Sequence, residues 1–320
     1  MQIKQKLEYP IWKFPYLFIK GLIVFIKIFR TGILILLLEN KLFDKHTALI
    51  LKVLNFILAN KNQEEIGKKL LNCLINLGPG YIKLGQALST RPDMLGKKTC
   101  DELKALQDNL NPISNSIAKK IIHDENENFL LNNLDSFDEN PIASASVAQV
   151  YTGFLKNGEK VAIKILKPNI QKNLFEDFAF FYWITKYLEF FIPNIKRLKL
   201  SKNVEILSEV SLNELDLTLE ASAADELAEN FRDNPYYKVP KIYWEFTTKN
   251  MLVLEFIEGI RIDDVEGLRS LKHNIKKITE IGTEVFFLQV FRDGFFHGDM
   301  HPGNILIDRQ GTLVPIDFGI

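Results

Sequence analysis

The sequence predicts an α+β chain, with an all-helical N-terminal third followed by a two-lobed body of mixed strands and helices. Three observations carry this. Apolar residues recur at helical spacing in the stretches 47–59, 63–77, 80–89, 97–110 and 114–123. From Ile142 to Leu166 the pattern changes to short strands around a Lys156-Asn157-Gly158-Glu159 turn. Beyond Pro168 helical and strand patterns alternate to the C-terminus.

Composition sets the outer limits. The chain has 320 residues, and at 47% hydrophobic it has ample material for a core, which excludes wholesale disorder. The length suits about two domains. Forty basic residues balance forty acidic ones, so overall charge does not favour a nucleic-acid partner. Cys73 and Cys100 are the two cysteines, too few for a disulfide framework or a thiolate zinc site, and a reducing compartment is the default.

The elements follow in order. Leu17–Leu38 is apolar but interrupted by Lys20, Lys27 and Arg30. No uncharged run reaches the ~20 residues that a bilayer span needs. On a helical wheel Lys13, Lys20, Lys27 and Arg30 share one arc, opposite Leu17, Phe18, Leu22, Ile23, Phe25, Ile26 and Phe29. A helix at the membrane interface and a buried helix with snorkelling lysines both fit this pattern. After the strand region, helices are expected at 169–191 and 203–231, strands at 238–245 and 251–257, and a helix at 270–293. A loop at 294–303 leads into a hairpin of strands 304–308 and 312–316. The domain reading is 1–45 for the amphipathic segment, 46–140 for a helical module, 141–260 for a first lobe with inserted helices and 261–320 for part of a second lobe.

The sharpest chemistry lies at the C-terminal end. Asp299 precedes Asn304 by five residues, and Asp317-Phe318-Gly319 begins thirteen residues after Asn304. That order, with a hairpin between, is the catalytic-loop and metal-loop pattern of a kinase. One carboxylate, Asp299, faces the acceptor hydroxyl; Asn304 and Asp317 supply hard oxygen ligands for Mg²⁺. Upstream, Val161-Ala162-Ile163-Lys164 matches the strand whose lysine contacts ATP phosphates. Glu220 is the preferred anionic partner of Lys164, with Glu214 and Asp216 as rivals on the same expected helix. His297 and His301 lie in a loop rich in Gly and Pro, so His297 is read as a residue that fixes the loop by packing or hydrogen bonding.

The phosphate-covering loop departs from the usual glycine-rich form. Here Ile142, Ala143, Ser144, Ala145, Ser146, Val147, Ala148, Gln149 and Val150 stand in its place, with no glycine before Gly153. Alanine disfavours the positive φ angles that glycine permits. Backbone N–H groups and the hydroxyls of Ser144 and Ser146 remain available to phosphate. The strand Met251–Ile257 leads to the interlobe hinge, where backbone groups would hold adenine.

These residues resemble the UbiB/AarF family of atypical kinase-like proteins. The alanine-rich loop Ala143-Ser144-Ala145-Ser146 carries the resemblance, together with Lys83-Leu84-Gly85-Gln86, Glu214-Leu215-Asp216 and the run Phe296–Asn304. The resemblance implies an atypical protein-kinase-like bilobal fold with an N-terminal helical extension. It implies an ATP- and Mg²⁺-dependent ATPase or atypical kinase that supports ubiquinone biosynthesis. It further implies that Lys83 and Gln86 face the nucleotide cleft and pair with Glu214 or Asp216. Its implied partners are a membrane surface, prenylated quinone precursors and other ubiquinone-biosynthesis proteins, and not nucleic acid.

The sequence ends at Ile320, one residue past Asp317-Phe318-Gly319. The expectation is therefore an incomplete C-lobe, from a truncated or split gene product, with a second chain as one source of the missing part. Helix 270–293 would then lack cover for Ile278, Ile281, Phe286, Phe287, Val290 and Phe291. Two alternatives stand beside the ATPase reading: a small-molecule kinase of the aminoglycoside or choline type, and a non-enzymatic, nucleotide-binding membrane scaffold. The expected location is a bacterial cytoplasm, peripheral to the inner membrane.

Overall fold

The structure is a computed structural model that describes residues 7, 14–33, 49, 52–53, 66–106, 112–191, 196–298 and 301–319. The expected helix at 47–59 lies largely outside these residues, as do Lys13 and Asp299. Two compact units interleave along the chain. The first comprises Met1–Asn111, Ala143–Val147 and Pro168–Leu212; the second comprises Pro112–Ile142, Ala148–Lys167 and Asn213–Ile320.

Among the described residues the first unit is helical apart from β2 (Ala143–Ser144), a two-residue strand. Its helices are α1 (Phe14–Phe29), α2 (Ile66–Leu77), α3 (Pro79–Ser89), α4 (Pro92–Leu95), α5 (Lys97–Leu103), α7 (Ile170–Phe191) and α8 (Leu200–Asn213, whose last residue falls in the second unit). Pro79 starts α3 at a position where a missing N–H costs nothing. Tyr81 of α3 packs edge-on against Phe181 of α7, with ring centroids 4.7 Å apart. Gly85 lets α3 lie close to its neighbours. A β-carbon there would meet Leu106 at 2.4 Å and Leu74 at 2.7 Å.

One buried carboxylate ties three of these helices together. Asp177 of α7 accepts hydrogen bonds from the Gly80 N–H at 3.2 Å and from Lys20 at 3.3 Å. Burial pushes its carboxyl up, against the opposing pull of Lys20 and Gly80. The pairing of Lys20 corrects the helical-wheel expectation for α1. Lys20 faces the protein, as do Leu17 and Phe29, whereas Phe18, Leu22 and Ile23 face outward.

The second unit is built on an antiparallel sheet whose main path runs β1–β3–β4–β5, from β1 (Leu134–Phe137), β3 (Ala148–Leu155), β4 (Lys160–Leu166) and β5 (Met251–Glu255). The β3–β4 hairpin turns where expected, with Gly158 at φ +87° and the Gly158 N–H bonded to Leu155 O at 2.8 Å. α6 (Asn115–Glu125) covers one face, and Ile122, Phe129, Tyr151, Ile163 and Val253 share the resulting core. β1 is not among the expected strands, since residues 134–137 fall within the expected helical module 46–140. Four residues are too few to establish an alternating pattern. β1 lies so close to β3 that a β-carbon on Gly153 would sit 2.6 Å from the Ser136 carbonyl oxygen. Gly153→Ala is therefore expected to lower stability by about 1–3 kcal/mol, measured by urea unfolding.

Three further expectations need correction. The helix expected at 203–231 is two helices, α8 and α9 (Leu217–Asn230), because Asp216 caps the second by accepting from the Thr218 N–H at 3.3 Å. Residues 238–245 hold a single isolated bridge, Ile242 to Leu254, instead of a strand, since Pro240 has no N–H to offer and a short 3₁₀ turn begins at Trp244. The helix expected at 270–293 begins at Ile275. α10 (Val265–Ser270) ends before it, Lys272 adopts φ +60°, and Asn274 caps α11 (Ile275–Phe287) by accepting from the Lys277 N–H at 3.1 Å. α11 runs on into a π-helical turn, Leu288–Asp293.

A second small sheet, β6 (Gly259–Arg261), β7 (Ile305–Asp308) and β8 (Leu313–Pro315), packs with α11. Ile278 and Ile281 are buried there with Ile305, Ile307 and Leu313, so that part of the apolar face of α11 has cover. Phe286, Phe287 and Phe291 are exposed, as expected.

Candidate functional site

The site in the second unit begins with Lys164, in the middle of β4, opposite Val150 on one side and Leu252 on the other. Its flanks, Ile163 and Ile165, point into the core and fix the strand's register. Lys164 therefore projects from the opposite face. Its Nζ reaches both carboxylate oxygens of Glu220, at 2.7 and 2.9 Å, and Oδ1 of Asp317 at 3.2 Å. Glu220 sits in the first turn of α9. Asp317 follows β8.

Of the three acids considered as partners of Lys164, Glu220 is the one in contact. Asp216 is occupied elsewhere, with Thr218 Oγ1 at 2.6 Å and Lys249 at 3.3 Å. Glu214 and Asp216 lie in the break between α8 and α9, not on one helix with Glu220. Both border a cavity of about 300 Å³ beside the ion pair, with Glu220, Glu226, Phe295 and Phe318 among its walls.

The electrostatics of the cluster follow from burial and charge. Burial alone would lower the affinity of Lys164 for its proton, but Asp317 and Glu220 outweigh it and hold the ammonium charged. Burial raises the Glu220 carboxyl to about 7, against the pull of Lys164. For Asp317 burial also acts to raise the value. The Lys164 ammonium and the Gly319 N–H dominate, and the carboxyl titrates at about 2. Asp317 is therefore an anionic oxygen donor over the physiological range.

Asn304 is placed beside Asp317 by the backbone. The Ile316 N–H donates to the Asn304 carbonyl at 2.9 Å, continuing the β7–β8 ladder past Ile305 and Pro315. An amide oxygen and an ionised carboxylate on adjacent segments are the hard donors that suit Mg²⁺, so these residues fit the ion. Asp299, the expected proton acceptor, lies outside the described residues.

The loop before Asn304 is held by residues that sequence reasoning found only in part. His297 is buried, and its ring lies 5.7 Å from that of Phe318, joining the catalytic-loop motif to the Asp-Phe-Gly motif. Gln289 was missed. It is fully buried, accepts from the His297 N–H at 2.9 Å and donates to the Tyr237 hydroxyl at 3.3 Å. A lone Gln among apolar residues has no spacing signal, and the π-helical turn that aims it inward is not a periodicity one reads from sequence.

The alanine-rich loop is divided between the two units, with Ala143–Val147 in the first. Gln149 is buried; its amide accepts from the Ile113 N–H at 3.0 Å and donates to the Tyr151 hydroxyl, so this side chain secures β3. The Ile142 N–H bonds Val150 O at 2.8 Å. In the first unit, Ser144 and Ser146 are buried, and the Ser144 hydroxyl lacks a hydrogen-bond partner among the described residues. An orphaned hydroxyl in that loop is compatible with a phosphate oxygen. Ala143 and Ile142 are exposed, whereas Val147 and Ala148 are buried. Lys83 and Gln86 both lie on α3, and the Gln86 amide donates to Leu106 O at 2.8 Å within the first unit.

A strand lysine paired to a helix glutamate, beside a hairpin ending in Asp-Phe-Gly, defines a kinase-like protein. The family model described as the ABC1 atypical kinase-like domain matches residues 105–320, and the chain belongs to that family. Two proteins called "Probable protein kinase UbiB" are similar to it. The one from Shewanella sp. (strain ANA-3) is 39% identical over 267 residues, covering 83% of this chain and 49% of the relative. The one from Histophilus somni (strain 129Pt) is 41% identical over 278 residues, covering 84% and 51%. The chain thus spans about half the length of the curated relatives it matches. Among solved structures, the Rv3197–erythromycin complex from Mycobacterium tuberculosis is 26% identical, with a TM-score of 0.52, covering 86% of this chain and 66% of that one.

Proposed function

We propose that the chain is a UbiB-like atypical kinase or ATPase that uses ATP with Mg²⁺ and supports ubiquinone biosynthesis. The observation that carries this reading is the three-way contact of Lys164 with Glu220 and Asp317. The ubiquinone role is supported by the UbiB relatives alone.

In this reading each residue has one task. Lys164 offers a fixed positive charge to phosphate oxygens, and Glu220 holds its side chain in place so that little freedom is lost on binding. Asn304 and Asp317 would hold Mg²⁺. When bound, the ion supplies charge neutralisation across the phosphates. Asp299 accepts the proton of the attacking hydroxyl or water as its oxygen bonds to the γ-phosphorus and the bond from that phosphorus to the bridging oxygen breaks, releasing ADP. The backbone of the alanine-rich loop, with the Ser144 and Ser146 hydroxyls, offers donors to phosphate.

Phosphate release from ATP tests the reaction. The expected result is Mg²⁺-dependent turnover that falls to background in Asp299→Asn. Turnover that is equal in EDTA, or unchanged by that substitution, would refute it. The pathway is tested separately, by quinone content in a bacterial strain lacking its own UbiB-like protein. Restored ubiquinone supports the assignment; unrestored ubiquinone with a stable, ATP-hydrolysing chain counts against it.

A further inference from the structure

The turn that carries Asn304 is held by one histidine. Pro302–Asn304 is a short 3₁₀ turn, and His301 precedes it in extended conformation. Pro302 has no N–H, so the first donor of the turn is that of Gly303. Nδ1 of the His301 ring accepts it at 3.1 Å. The His301 carbonyl accepts the next donor, the Asn304 N–H, at 2.8 Å. His301 thus satisfies both N–H groups of the turn, one through its side chain and one through its backbone.

The surroundings of the turn are close-fitting. A β-carbon on Gly303 would lie 3.1 Å from His301 Nδ1 and 3.4 Å from Nη2 of Arg261. The Arg261 guanidinium is itself forked onto Asp263, at 3.0 and 2.9 Å. Asn304 is held from the far side too, because its carbonyl accepts the Ile316 N–H at 2.9 Å. Its backbone is therefore pinned at both ends, by His301 before it and by the segment leading to Asp317 after it. A side chain that accepts from the N–H two positions on is a cap, a role usually given to Ser, Thr, Asp or Asn. Nδ1 of His and the side-chain oxygen of Asn are the same number of bonds from the backbone.

We propose that His301 is a positioning residue for the metal: its Nδ1 caps the turn and so sets the direction in which Asn304 offers its amide oxygen to Mg²⁺. The proposal rests on the nucleotide reading, because it takes Asn304 as a ligand of the ion. A neutral imidazole that accepts through Nδ1 carries its proton on Nε2. The task needs the acceptor alone. That separates it from direct metal binding and from proton transfer, both of which need the ring itself. Without the cap the Gly303 N–H loses its partner, the turn samples other conformations, and Asn304 spends less time where the ion needs it.

Calorimetric titration of ATP over a series of Mg²⁺ concentrations, and once in EDTA, tests this with two variants of the full chain. His301→Leu removes the acceptor, and His301→Asn restores one at the same reach. His301→Leu is expected to raise the Mg²⁺ concentration for half-maximal ATP binding roughly fivefold or more, the effect of losing a cap. His301→Asn should stay within about twofold of the wild type. ATP affinity in EDTA should be the same in all three chains. Nuclear magnetic resonance of the ligand-free wild type, with nitrogen-labelled histidine, should find the neutral ring of His301 protonated on Nε2. If His301→Leu does not fold, His301→Asn and the tautomer decide. A wild-type Mg²⁺ dependence in folded His301→Leu, a loss in His301→Asn as large as that expected of His301→Leu, or a proton on Nδ1 would overturn the role. Absence of Mg²⁺-dependent binding in the wild type would refute the nucleotide reading and the role with it.

Discussion

Asp317→Asn is expected to weaken Mg²⁺-dependent ATP binding at least ~100-fold, about 2.7 kcal/mol. The substitution keeps the shape of the side chain and leaves an oxygen to accept the Gly319 N–H, a bond of 3.1 Å in the wild type. It removes the negative charge that Lys164 holds ionised down to about pH 2. An amide oxygen is a weaker ligand for a hard divalent cation than a carboxylate. Glu220 still pairs with Lys164 at 2.7 Å, so the fold keeps its buried ion pair and the unfolding midpoint should move little. Loss of Mg²⁺-dependent binding with an unchanged midpoint separates a metal ligand from a structural residue. Calorimetric titration and thermal unfolding of the same sample give both readouts.

Lys164→Met is expected to have the largest effect on stability as well as on binding. It leaves Glu220, of which 7% is exposed, without its cation. Removing one partner of a buried pair costs roughly 3–5 kcal/mol. The pH dependence follows from the direction of the Glu220 shift. Burial already raises this carboxyl from 4.5 to about 7, and loss of Lys164 raises it further. In that window the unfolded chain is deprotonated and the folded chain holds a proton, so stability falls as pH rises. The variant should therefore be closest to the wild type near pH 4.5 and fall furthest behind above pH 7. Urea unfolding at a series of pH values measures the gap. A constant gap would mean that Glu220 does not carry the cost.

The chemistry was more legible in the sequence than the architecture that presents it. Lys164 and Glu220 are 56 positions apart, and the geometry brings them to 2.7 Å. The kinase-like pattern pointed to both, because a strand lysine needs a helical carboxylate. The break at Glu214-Leu215-Asp216 was not legible, because Leu215 and Leu217 continue an apolar pattern while Asp216 ends one helix and caps the next. Tertiary contact decided α1 as well. The wheel grouped Lys20 with Lys27 and Arg30, but a buried Asp177 some 157 positions away turned Lys20 inward. Periodicity reports which residues share a face; it does not report which face meets the protein. Gln289 shows the same limit, since its role depends on reaching the backbone of His297 and the hydroxyl of Tyr237.

The central claim is that Lys164, Glu220 and Asp317 form the phosphate and metal end of a nucleotide site. Calorimetric titration of ATP into the wild-type chain, once in Mg²⁺ and once in EDTA, tests it most directly. The expected result is saturable binding in Mg²⁺ that weakens at least ~10-fold in EDTA, because Asn304 and Asp317 need the cation to engage phosphate. Equal binding in the two buffers, or no binding in either, would contradict it.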